Sequence, residues 1–213
     1  MQSRPERLYR PLPQQTDGEM NQVEKAARFS ELHVKGAPLL LYNAWDAGTA
    51  KSILDAGAKT IATSSCAVAE AQGYRDGESI PITFVEQIIA RIVSTIDAPV
   101  SVDFEGGDSD DNGALAENVT RLFELGIIGI NFEDRVVQGA GLYPIDQHAR
   151  RIAAIREAGE RRASTSLSMR GQICFWVNNA TRQTLLTTLL TARKPMPPQE
   201  RPASSFRACG TMR

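Results

Sequence analysis

Pro99-Val100-Ser101-Val102-Asp103-Phe104-Glu105 and Ile127-Ile128-Gly129-Ile130-Asn131-Phe132-Glu133-Asp134 share one form: a short apolar run that ends in acids. Each reads as a buried strand followed by a loop. Acids gathered where parallel strands end are how an α/β enzyme holds a metal or an acidic substrate. A buried carboxylate without a partner is costly, so several converging ones imply a cation.

Outward from these runs the chain repeats a strand–helix rhythm. The spacing of Val23, Ala26, Phe29 and Leu32 predicts a helix from Asn21 to His33, and Leu39–Tyr42 a strand. Asp46 or its neighbours cap a helix that Gly57 stops, and Thr60–Thr63 is the next strand. Ser64-Ser65-Cys66 and the polar run Gly73–Glu78 follow as loop. Val85, Ile88, Ile89 and Ile92 mark a helix over Thr83–Thr95, ended by Asp97-Ala98-Pro99. A helix over Gly113–Leu125 joins the two acid-tipped strands. Another, carrying Ile145, Ala149, Ile152 and Ile155, is expected to end at Gly159. Repeated βα units demand a parallel sheet, either doubly wound or a (β/α)8 barrel.

The 213 residues suit one domain, with 42% hydrophobic and 23% charged residues, as in soluble globular proteins. A net charge of -1 gives no reason to expect nucleic acid or an anionic membrane as partner. No apolar run reaches the roughly 20 residues of a membrane span, and no signal-peptide core opens the chain. Cys66, Cys174 and Cys209 are too few and too scattered for a disulfide framework. The expectation is a cytoplasmic protein. Residues 1–19, rich in Arg, Pro and Gln, read as a disordered extension, and 20–159 as the folded part.

Within 20–159, Asn43-Ala44-Trp45-Asp46-Ala47-Gly48-Thr49-Ala50, Ala62-Thr63-Ser64-Ser65, Gly73-Tyr74-Arg75-Asp76-Gly77-Glu78, Asp103-Phe104-Glu105, Gly129–Asp134 and Gly141-Leu142-Tyr143 occur in order. This series resembles the isocitrate lyase/phosphoenolpyruvate mutase superfamily. The resemblance implies a (β/α)8 barrel, of which about the first four βα units are recognisable, and a homotetramer with an exchanged C-terminal helix, which this chain lacks. It implies a Mg²⁺ site at Asp76, Asp103, Glu105 and Glu133, several of them acting through bound water. It implies that Ser64 and Ser65 hold the carboxylate or phosphonate of a small acid. The shared chemistry makes or breaks a C–C or C–P bond next to a 2-keto acid, through an enolate-like oxyanion stabilised by the metal.

The chain departs from the pattern in three places. After Glu105 it reads Gly106-Gly107-Asp108-Ser109-Asp110 where the family has a Gly-Tyr-Gly turn. After the fourth strand, Arg135–Ala140 has neither the Cys nor the His of the isocitrate-type lyases, which argues against those substrates. The fifth strand's Asn-Ala-Arg-Thr-Asp, whose Arg binds substrate, is missing. After Gly159 basic residues (Arg161, Arg162, Arg170, Arg182, Arg193, Lys194, Arg201) face few acids, and no fifth strand of the earlier type is expected. Back-translated and read one nucleotide earlier, Ser168–Asn179 can encode Asn-Ala-Arg-Thr-Asp-Leu-Phe-Leu-Gly-Glu-Gln. Ala192–Pro198 likewise permits Arg-Ala-Lys-Ala-Tyr-Ala-Ala. Residues 160–213 therefore read as an out-of-frame tail, and the chain as half a barrel with uncovered edges prone to aggregation. An inactive, truncated product of an enzyme gene stands beside the enzyme reading.

Each site residue also has an ordinary role open to it. Asp103, Glu105 and Glu133 would serve as solvated acids at helix starts, Asp76 as a turn residue, and Ser64 and Ser65 as N-caps. Trp45 is expected in packing, and His33 and His148 at solvent-facing or boundary positions of helices. Cys174 and Cys209 lie in the tail and are given no role.

Overall fold

The computed structural model describes residues 20–136, 139–165 and 174–178. The element order is α1 (Gln22–Glu31), β1 (Tyr42–Ala44), α2 (Ala47–Asp55), β2 (Ile61–Thr63), α3 (Ser65–Ala71), α4 (Ile82–Thr95), β3 (Val100–Asp103), α5 (Asn112–Glu124), β4 (Gly129–Glu133), α6 (Ile145–Thr165) and β5 (Cys174–Asn178). The strands form one parallel sheet in chain order, β1-β2-β3-β4-β5. This is the succession in which βα units build a barrel wall.

Helix starts follow local chemistry. Asn21 accepts from the amides of Val23 and Glu24 while Glu24 reaches back to its amide, a capping box. Asp46 caps α2 through Thr49, and Asp111 caps α5 through Ala114. The core lies between sheet and helices: Ile61, Val100, Val102, Ile130 and Phe132 from the strands meet Ile89, Ile92, Leu115, Leu122 and Ile155. Burying each such side chain contributes about 1.5–3 kcal/mol before conformational entropy is subtracted.

Five expectations are corrected. β1 begins at Tyr42, not Leu39: it lies at the sheet edge, where Leu40 and Tyr42 are 66% and 51% exposed, and among the described residues it pairs with β2 alone. Trp45, expected in packing, is exposed beside them. Ser65–Ala71 is a helix rather than a loop, because Ser64 caps it and its small residues let Val68 and Ala69 reach the core. α6 passes through Gly159, which is buried beside Ala158; tertiary packing outweighs a penalty of about 1 kcal/mol for glycine in a helix. A fifth strand does exist: the apolar, β-forming run Cys174–Asn178 pairs with β4, placing Asn131 opposite Trp176 and Glu133 opposite Asn178.

Residues 1–19, Cys209 and most of the stretch 166–213 lie outside the described residues, so the out-of-frame reading of the tail is a matter of sequence alone. Among the described residues no helix is long and apolar enough to cross a membrane.

Candidate active site

The C-terminal ends of β2, β3 and β4 bring the predicted residues to one edge of the sheet. Asp103, the last residue of β3, is held from the start of α3 on one side and from β4 on the other. Ser65 donates to its Oδ2 from the amide and from Oγ, at 3.1 and 2.9 Å, and Asn131 Nδ2 donates to its Oδ1 at 3.0 Å. Its own amide donates to Thr63 Oγ1. Three hydrogen bonds fix the carboxylate in one rotamer and compensate its partial burial.

Two residues on, Glu105 has φ 44, a left-handed conformation that is rare for a side chain of this size. Burial, together with the charges of Asp76, Glu78 and Asp103, pushes its carboxyl up to about 7, against a lowering hydrogen bond from Ser65. Glu133 is also raised, first by burial and then by Asp103, with Arg135 opposing. Glu133 and Glu105 are tied through the backbone, the Glu133 amide donating to the Glu105 carbonyl at 2.8 Å. Asp76 is exposed on the loop after α3, yet its charge is felt by both Glu105 and Glu133.

The site residues therefore converge, with one difference between the two serines. Ser65 touches the acids directly, whereas Ser64 spends its Oγ on the Ala67 amide as the cap of α3.

Sequence reading passed over several members of the site. Glu78 accepts from the Asp108 amide at 2.8 Å, and burial raises both carboxyls. Glu78, Glu105 and Asp108 are the three non-glycine residues with positive φ among the described residues, and all three line one small cavity. Strain of about 1–3 kcal/mol each is here gathered at one cavity, as is common at functional sites. The cavity's other walls are Val68, Ile80, Val85, Ile89 and Val102. Asn131 is the second omission: its Oδ1 is buried and meets no donor among the described residues, although its amide nitrogen holds Asp103. The signal for it was its place two residues before Glu133, on the same face of the strand.

This donor set suits a hard cation. Every candidate ligand is an oxygen, the acids raise one another's proton affinity, and an unmet acceptor lies among them. Among the described residues no three acids, His or Cys are placed to hold an ion together; a hydrated Mg²⁺ needs one or two carboxylates.

The family model for phosphoenolpyruvate phosphomutase matches residues 29–185, most of the chain. The chain belongs to that family. A Burkholderia cenocepacia J2315 protein designated a phosphonomutase is 38% identical and superposes with a TM-score of 0.68 over 79% of this chain and 68% of its own. An uncharacterized Mycobacterium tuberculosis protein is 36% identical over 106 residues, 50% of this chain and 40% of that one, so the match spans less than half of this relative. The fold alone is shared, at 17% identity and a TM-score of 0.59, with a phosphonopyruvate hydrolase in complex with oxalate and Mg²⁺, over 84% of this chain and 71% of that one. The family places the chain in the superfamily of phosphoenolpyruvate mutase- and lyase-type enzymes, and the strand-end acids lie at the end of the sheet where barrel enzymes carry their chemistry.

Proposed function

We propose that the chain is built to bind Mg²⁺ and a small 2-keto or dicarboxylic acid, and to cleave or form a C–C or C–P bond beside the keto group. The observation that carries this reading is Glu105: strained, raised to about 7 by burial and three neighbouring acids, and hydrogen-bonded to the serine that also holds Asp103. Asp103, Glu105, Glu133 and Asp76 would hold the ion. When bound, the metal supplies Lewis-acid stabilisation of negative charge developing on the substrate oxygen. Ser65 orients Asp103, and without the ion burial and the neighbouring acids hold the Glu105 carboxyl up to about 7. By the resemblance Ser64 and Ser65 would meet a substrate carboxylate or phosphonate, although here Ser65 donates to Asp103 and Ser64 Oγ accepts from Ala67. Oxalate is the apt probe, since the phosphonopyruvate hydrolase named above was solved with oxalate and Mg²⁺.

The experiment is a thermal-unfolding titration of the full chain with MgCl₂ and oxalate. A rise in Tm that needs both supports the reading, by mass action on the native state. No shift supports a second reading, a catalytically inactive product of an enzyme gene. That alternative has its own observation: the strand beside β4 reads Cys-Phe-Trp-Val-Asn, not the Asn-Ala-Arg-Thr-Asp that the resemblance calls for. Sequencing the DNA across codons 155–180 tests the frameshift directly.

A further inference from the structure

α6 carries two residues that no role assigned so far requires buried. Arg151 and His148 are both 0% exposed. Fully burying a guanidinium is costly unless its hydrogen bonds return the lost hydration. Arg151 Nη2 donates to the carbonyls of Gly106 and, at 2.9 Å, Ser109, while its Nε and Nη1 are buried with no hydrogen-bond partner among the described residues. Both belong to the loop that follows Glu105. The guanidinium also lies over the rings of Tyr143, at 4.4 Å, and Phe132, at 5.4 Å. Tyr143 in turn donates to Asp110, at the far end of the same loop, and His148 stacks on Phe132 at 5.2 Å.

We infer that Arg151 is a positioning residue: it clamps the Gly106–Asp110 loop against β4 and Tyr143, and so fixes the peptide groups after Gly106 and Ser109, the residues that follow Glu105 and Asp108. The inference rests on the proposed function for its meaning, because it assigns Arg151 to the acid site without letting it touch metal or substrate. Its logic is geometric. The direction of a carbonyl fixes the torsions on either side of it, and two of the carbonyls between Glu105 and Asp110 point at one cation. Asn118 Nδ2 fixes a third, that of Gly107, at 3.0 Å. A neutral side chain in place of Arg151 frees the peptide groups after Gly106 and Ser109 to rotate, and the loop that follows Glu105 loosens with them.

The test uses Arg151→Met and Arg151→Lys in the full chain, with Mn²⁺ as the probe ion, followed by electron paramagnetic resonance, and amide hydrogen exchange of residues 106–111. Arg151→Met is expected to speed exchange of that loop at least about tenfold and to weaken Mn²⁺ about tenfold, as loss of an outer support for metal-site ligands does. Arg151→Lys keeps the charge but not the planar fork, and is expected to fall between. A merely structural arginine would lower Tm and leave loop exchange and Mn²⁺ affinity unchanged, and that result overturns the inference. Should Arg151→Met fail to fold, Arg151→Lys decides by the same two readings. If the wild-type chain binds no Mn²⁺, the proposed function fails, and the clamp stands or falls on loop exchange alone.

Discussion

The loop after β3 and the loop after β4 flank the same acids but are held in opposite ways. The first is fixed from outside itself: Arg151 and Asn118 take three of its carbonyls, and Glu78 takes the Asp108 amide. The second closes on itself, through Val136 to Gly141 and Tyr143 to Asp134, and its residues Gly139–Leu142 are exposed. One loop is therefore fixed by side chains packed against it, and the other by its own backbone and by Tyr143, which donates to Asp110. Anchoring by buried side chains is what distinguishes a wall from a rim.

The largest effect is expected at the wall. Asp103→Ala removes the carboxylate that Ser65 and Asn131 hold, and Mg²⁺ affinity measured by calorimetry should fall at least about 100-fold. Undiminished affinity would detach the ion from β3 altogether. Gly107→Ala comes next. At φ +87 its Cβ would lie 2.2 Å from Leu115 Cδ1, so urea unfolding should show a loss of about 2–4 kcal/mol.

The pH response combines two opposed groups. Burial holds His148 down to about 4, below the unfolded value near 6.5, so its neutral form stabilises the fold above about pH 6.5. That contribution, up to about 3 kcal/mol, is lost as pH falls toward 4. Glu105, raised to about 7, has the reverse sign: the metal-free fold loses stability as pH rises from its ordinary value of 4.5 through 7. Metal-free Glu105→Gln should therefore unfold at higher urea than wild type at pH 8, and match it at pH 4. If the two proteins instead run parallel across that range, burial and the neighbouring acids do not raise the Glu105 carboxyl. Gly141→Ala is the smallest change. At φ +81 with nothing within 4 Å, it should cost only about 1 kcal/mol, and a loss as large as that of Gly107→Ala would erase the contrast between the loops.

Much of this was legible in the chain. The β3 and β4 runs, the amphipathic α4 and α5, and the Asp46 cap follow from local patterns, and the acids from their place at strand ends. The misreadings share a cause. His148 looked like a boundary residue because its neighbours Gln147 and Arg150 are polar, yet α6 turns its His148 and Arg151 side inward against Phe132. Gly159 looked like a stop because nothing local shows the packing that carries α6 past it. The run at Cys174 was discounted for the basic stretch around it, although its own residues are good strand formers.

Hydrophobic period and strand-end chemistry were thus enough, from sequence alone, to place Asp103, Glu105 and Glu133 at the ends of parallel strands, because both are set by residues adjacent in the chain. The tertiary structure alone decided how those acids are held. Ser65 reaches Asp103 across 38 positions, Asn131 across 28, and Arg151 reaches the loop after β3 across 42 to 45. Such pairings depend on how the sheet twists and where α6 docks, and no local pattern records them.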